Sequence, residues 1–190
     1  MNVACHLVAS QSESLLDAPF VVAQALKVTS YAMVLGGALL DNARLFDQVH
    51  QMAVTDSLTG LFNYRSLINV MDFEIQRSQR TGRNFSLLML DLDGLKAIND
   101  RHGHLVGSRA ICRLADVLRG HSRVLDTAAR YGGDEFAVVL PETGAEAAAS
   151  VGTRICDRLS ADGELPYVTV SMGVAVYPAE GDTVYGLLTS

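Results

Sequence analysis

Residues 129–140 read Ala129-Arg130-Tyr131-Gly132-Gly133-Asp134-Glu135-Phe136-Ala137-Val138-Val139-Leu140. A strand-like run on each side of a glycine pair is a hairpin signal, because tight hairpin turns need positive φ and glycine adopts it without steric penalty. The reading expects a two-residue Gly132-Gly133 turn with Asp134 and Glu135 directly after it, where a ligand can reach them. Bare glycine backbone beside two carboxylates would let a phosphate approach closely. An ordinary hairpin with acidic outer residues has the same local sequence, so the rest of the chain decides.

Outward from the hairpin, Phe85 to Asp91 (FSLLMLD) is an apolar run without alternation, which predicts a central strand covered on both faces. A helix is expected from about Tyr64 to Arg80, with Leu67, Ile68, Met71, Phe73 and Ile75 as its apolar residues and Gly82 as its stop. Asp56-Ser57-Leu58-Thr59-Gly60-Leu61 supplies capping acceptors at Asp56 and Thr59 and a turn at Gly60. Short and longer helices are expected over 95–100 and 108–118, the second burying Ala110, Ile111, Leu114, Ala115 and Leu118. A further helix is predicted over 144–159, a strand over 167–176, and a last short helix capped by Asp182. This order implies an α/β (α+β) sandwich on a mixed, largely antiparallel sheet flanked by helices.

The chain has 190 residues and a net charge of -6, with no Lys/Arg-rich block. A groove for DNA or RNA polymers is therefore not expected, whereas a nucleotide site needs only a metal cluster and a few cations. Cys5, Cys112 and Cys156 have no metal-ligand spacing and suit a reducing compartment as small buried apolar residues. Residues 1–17 do not read as a signal peptide, because no cation precedes an apolar core. Ala18 to Leu40 carries one charge, Lys27, and is long enough to cross a bilayer. The same run also suits a buried or dimer-forming helix of a soluble sensor domain. Leu39, Ala43 (or Asn42), Phe46, Val49 and Ala53 recur at steps of three and four, the seam of a helix that pairs with another. The expected organisation is an N-terminal segment over 1–40, a connecting helix over 41–55 and a main domain over 56–190.

Asp91-Leu92-Asp93 ends the apolar strand, and carboxylates at a strand end are well placed to hold a hard cation such as Mg²⁺. Asp93 has an equally good local role as the cap of the helix opening at Gly94. Asp91 has none, and together with Asp134 and Glu135 it supplies acids from two strand ends, as metal-assisted phosphoryl transfer requires. Residues 89–107, MLDLDGLKAINDRHGHLVG, resemble the core of the GGDEF family of diguanylate cyclases, and Gly132-Gly133-Asp134-Glu135-Phe136 spells that family's name motif. Asp56 to Asn63 is similar to its entry motif and Ser171-Met172-Gly173-Val174-Ala175 to its closing strand.

The resemblance implies a palm-like nucleotide-cyclase fold and a homodimer in which each subunit binds one GTP. Two GTP would be condensed into cyclic di-GMP with loss of pyrophosphate. It further implies that Asp91, Asp134 and the Leu92 carbonyl ligate Mg²⁺ (or Mn²⁺) and that Glu135 assists with metal or proton. Gly132 and Gly133 would admit the phosphates, Lys96 would meet phosphate charge and Asn99 would bind the guanine edge. His104 matches the family pattern as a neutral structural histidine. Arg123-Val124-Leu125-Asp126 matches an Arg-x-x-Asp product-inhibition site, where a guanidinium fork can grip phosphate or guanine; its bland counterpart is an exposed ion pair. The domain would be cytoplasmic, tethered to the bacterial inner membrane if residues 18–40 span it.

Two features depart from the family pattern. Ser108 stands where an aspartate usually pairs with guanine N–H donors; loss of such a charge-assisted bond costs about 1.5–3 kcal/mol. The pattern also continues past the closing strand through a helix bearing a Lys and an Arg and a final strand, whereas the sequence ends at Ser190. The alternatives are a catalytically weak cyclic di-GMP receptor using Arg123 and Asp126, and a dimerisation module with a vestigial nucleotide site.

Overall fold

The computed structural model describes residues 18–52 and 54–190, which separate into a unit ending at Met52 and a second over 53–190. The described part of the first unit is one helix, α1 (Ala18–Met52), uninterrupted at Gly36-Gly37. Within it Phe20–Arg44 is long and apolar enough to cross a membrane by length and composition. Leu39 is exposed; of the seam residues, the side chains of Phe46, Val49 and Ala53 lie outside the described residues, as do residues 1–17 and Cys5.

In the second unit the entry turn folds as its side chains dictate. The Asp56 carboxylate accepts from the Thr59 N–H (2.8 Å) and hydroxyl (2.7 Å), and Gly60 takes φ 68°. Asn63 then caps α2 (Tyr64–Thr81) by accepting from the Ser66 N–H, and Gly82 closes the helix at φ 70°. Leu67, Met71 and Ile75 face the core, while Phe73, expected there, is exposed because it lies off the 3–4 spacing that they share.

Next come β1 (Phe85–Leu92), α3 (Leu95–His102), α4 (His104–His121), β2 (Thr127–Arg130), β3 (Glu135–Pro141), α5 (Ala145–Ala161), β4 (Val170–Tyr177) and α6 (Val184–Thr189). The strands form one four-stranded sheet in the order β2-β3-β1-β4. All three strand pairings are antiparallel; the one parallel element is a single bridge from Phe62 to Ala129, by which the entry turn docks on β2. The topology of this sheet is βαββαβ.

β1 lies in the interior, and its unalternating apolar run is explained by two covered faces. Leu88, Leu90 and Leu92 pack with Phe136 and Val138 beneath α4 and α5. Phe85 and Leu87 pack with Ala137 and Val139 beneath α2 and α6. Ser86, a polar residue in this run, is fully buried and donates to the Thr143 carbonyl at 2.7 Å.

Several boundaries differ from expectation. α4 starts at His104, not Ser108, because Gly103 at φ 84° ends α3 and the helix restarts at once with an exposed, patternless first turn. β4 starts at Val170 rather than 167, since Arg113 holds the preceding loop by Asp162 (2.8 Å), the Pro166 carbonyl (2.9 Å) and the Glu164 carbonyl (3.2 Å). Thr183, not Asp182, caps α6, its hydroxyl accepting from the Gly186 N–H at 3.1 Å. Cys112 and Cys156 are half-buried rather than buried.

Candidate functional site

The hairpin joining β2 and β3 is wider than a two-residue turn. The Tyr131 N–H donates to the Glu135 carbonyl at 2.8 Å, which makes the tip a three-residue loop, Gly132-Gly133-Asp134. Neither glycine has positive φ. Asp134 therefore lies in the turn and only Glu135 follows it, opening β3. The Gly133 carbonyl explains the shape: it accepts from Arg130 Nη2 at 2.7 Å and Nε at 3.2 Å. The other side of that guanidinium, Nη1, reaches both Asp56 carboxylate oxygens at 3.2 Å. One arginine thus ties the Gly132-Gly133-Asp134 turn to the entry turn. Burial pushes the Asp56 carboxyl up, but the bonds from Thr59 and Arg130 outweigh it and hold it below its usual range. The sequence reading missed Arg130, because its ionic partner Asp56 lies 74 residues away in the chain.

Antiparallel pairing sets Asp91, near the end of β1, opposite Glu135 on β3 and Ser171 on β4. The Leu92 N–H donates to the Asp134 carbonyl at 3.0 Å, so the tip is fastened to the end of β1. Burial, then the neighbouring Asp134, then Asp93, push the Asp91 carboxyl above its ordinary value. Asp91, Leu92, Asp134 and Glu135 are thereby brought together. Asp93 does not cap α3, whose N-cap Gly94 carries no side-chain bond. Its carboxylate instead accepts from the Ser171 hydroxyl (2.7 Å) and the Thr169 hydroxyl (2.7 Å), which hold it below the usual range.

Among the described residues no three His, Cys, Asp or Glu side chains form a ready-made metal cage. A pair of mutually repelling carboxylates fits a hard divalent cation that keeps most of its ligands as water and phosphate oxygen, as Mg²⁺ does. A cleft of about 250 Å³ beside the pair is lined by Met89, Asp91, Glu135, Ser171 and Gly173. No atom lies within 4 Å of a Cβ built on Gly133, and one on Gly132 would meet only Glu135 Oε2, at 3.0 Å.

Lys96 is exposed on the first turn of α3, and Asn99 and Ser108 are half-buried on α3 and α4. His104, expected as a structural residue, is exposed. Arg123 and Asp126 close a turn, with the Arg123 N–H donating to the Asp126 carboxylate at 2.7 Å and the Asp126 N–H to the Arg123 carbonyl at 3.0 Å. Asp126 thus serves the Arg123 backbone, not its exposed guanidinium. Both residues line a groove of about 320 Å³ with Thr55, Phe62, Arg119 and Ser122.

An antiparallel βαββαβ sheet with carboxylates gathered where a glycine-rich hairpin meets the central strand defines a nucleotide-cyclase type of domain. The family model described as "Diguanylate cyclase, GGDEF domain" matches residues 53–190, and the chain belongs to that family. It is 38% identical over 149 residues to the response regulator PleD of Caulobacter vibrioides, covering 75% of this chain and 33% of that protein. To the diguanylate cyclase DgcP of Pseudomonas aeruginosa it is 37% identical over 155 residues, 76% and 22% of the two chains. The chain thus spans about a fifth to a third of the length of these relatives. Among solved structures, the GGDEF domain of DgcB from Caulobacter crescentus in complex with c-di-GMP superposes with a TM-score of 0.66 at 30% identity, covering 72% and 81%. A sensory box/GGDEF family protein from Caulobacter crescentus gives 0.67 at 36% identity, covering 72% and 92%.

Proposed function

We propose that residues 56–190 are the cyclase output domain of a sensor, condensing two GTP into cyclic di-GMP as a homodimer. The observation that carries this reading is the pairing of Asp91 with Glu135, which sets the β1 carboxylate beside Asp134 at the open hairpin tip. Each 3′-hydroxyl attacks the α-phosphate of the other GTP; two phosphodiester bonds form and two pyrophosphates leave. Asp91, Asp134 and the Leu92 carbonyl would hold the divalent cation. The chemistry it would supply there is polarisation of the phosphate and a lowered pKa for the attacking hydroxyl. Gly132 and Gly133 leave room for phosphate oxygens, Glu135 stands by for metal or proton, and Lys96 meets phosphate charge at the uncapped start of α3. Asn99 and Ser108 face the guanine edge. In this reading 18–40 anchors the chain to the inner membrane or to a sensor domain, and 41–55 joins the helix to the domain.

Incubating the chain with GTP and Mg²⁺ tests this, with cyclic di-GMP as the expected product. Ser108 accepts one hydrogen bond without charge, so Ser108→Asp is expected to lower KM for GTP by roughly tenfold or more. A well-folded dimer that yields no cyclic di-GMP, with either residue at 108, sinks the cyclase reading.

A second reading, a weak or silent cyclase that acts as a cyclic di-GMP receptor, is favoured by the groove at Arg123. The Arg123 guanidinium is exposed on a turn pinned by Asp126, ready to fork onto phosphate or guanine. Titration calorimetry with cyclic di-GMP is expected to show binding that Arg123→Ala removes. Equal heats from wild type and variant would exclude this groove as the product site.

A further inference from the structure

α3 and α4 are separated by one residue, Gly103, whose N–H donates to the Asn99 carbonyl at 2.8 Å. The Val106 and Gly107 N–H groups both point back to the Gly103 carbonyl, at 3.0 and 3.3 Å. The chain therefore folds back sharply, and the first turns of α4 pass over the residue that α3 presents to guanine. Gly107 is buried at that crossing. A Cβ built on it would lie 2.0 Å from Asn99 Oδ1, 2.9 Å from Cγ and 3.3 Å from Nδ2. The space above the Gly107 Cα is thus filled by the Asn99 amide group itself.

We infer that Gly107 is a positioning residue for base recognition: its missing side chain is the seat that fixes the orientation of the Asn99 amide. This rests on the reading of Asn99 as the guanine contact. Gly107 is no conformational necessity, since its φ is not positive and it lies within α4. Glycine in a helix interior is normally a loss of stability relative to alanine. The three nearest atoms to the missing Cβ all belong to one side-chain amide, which can rotate away, and none to backbone. Alanine at 107 would therefore turn the Asn99 amide out of its seat while leaving the helix intact or firmer. Stability and base recognition part company at this one position.

The test uses the full chain and 3′-deoxy-GTP, which keeps the guanine and triphosphate but has no attacking hydroxyl. Binding is measured for wild type, Gly107→Ala, Asn99→Ala and the double variant, with thermal unfolding alongside. Gly107→Ala is expected to weaken binding by about tenfold, the worth of one lost hydrogen bond to the base. Its Tm should be equal to or above wild type. Asn99→Ala should weaken binding by a similar factor, and the double variant should be no weaker than either single one, because both changes remove the same contact. In turnover, KM should carry the loss and kcat should stay within about twofold, as for an interaction made equally in ground and transition states. Wild-type affinity in Gly107→Ala, multiplication of the two losses in the double variant, or a lowered Tm each overturns the assignment. A wild-type chain that fails to bind 3′-deoxy-GTP overturns the guanine reading itself, and this assignment with it.

Discussion

Asp91→Asn and Asp134→Asn are each expected to lower the rate of cyclic di-GMP formation by about 10³-fold, because a metal-held phosphoryl transfer draws several kcal/mol from its ligands. Asp91→Asn should do so while making the fold slightly more stable. The Asp91 carboxyl is raised above the 3.8 of a free aspartate by burial and by Asp134 and Asp93. The folded form therefore holds its proton at a pH where the unfolded chain has released it. Stability falls as pH rises through that window, and the penalty stands in full at neutral pH. Removing the charge removes the penalty: Tm at pH 7 should rise, most at low salt, and the gain should vanish below about pH 3.8, where the free carboxyl is protonated as well. Mg²⁺ should raise the Tm of the wild type by binding its folded form, and should not raise that of Asp91→Asn. A variant with the wild-type rate, or with an undiminished Mg²⁺ shift, would remove Asp91 from the metal site.

Arg130→Ala should be the second most damaging change, although Arg130 touches no reacting atom. Its guanidinium holds the Gly133 carbonyl on one side and the Asp56 carboxylate on the other. Without it the tip that carries Asp134 keeps only its bond from Leu92, and the resulting misplacement costs roughly 10- to 100-fold in kcat. The arginine and aspartate side chains are 17% and 21% exposed, so the stability loss should be about 1–3 kcal/mol, below that of a fully buried pair. The Asp56 carboxyl sits below its ordinary value in the folded chain. Its contribution is therefore present above about pH 3.8 and lost as pH falls through the lower folded pKa, so Arg130→Ala should flatten the acid limb of the stability profile. Arg130→Lys keeps the charge but cannot bridge both partners, and should recover the stability better than the rate. Unfolding curves and initial rates on the three chains measure this. Equal losses of rate and stability in Lys and Ala variants would argue against a bridging role.

The family, the sheet class and the elements themselves were legible in the sequence by itself. The apolar run Phe85 to Asp91 without alternation reads as an interior strand, Gly82 marks the end of α2, and a run of motifs in order gives the nucleotide-cyclase domain. These are local signals, each complete within a few residues. Tertiary structure alone decided the rest, because its contacts join residues far apart in the chain. The hairpin tip is three residues wide with ordinary φ, since Leu92 fastens Asp134 and Arg130, held by Asp56 74 residues away, draws in the Gly133 carbonyl. Asp93 serves the hydroxyls of Thr169 and Ser171, 76 and 78 residues away, instead of its own helix. Gly107 is a glycine for the sake of Asn99, which comes against it only because Gly103 folds one helix back on the other.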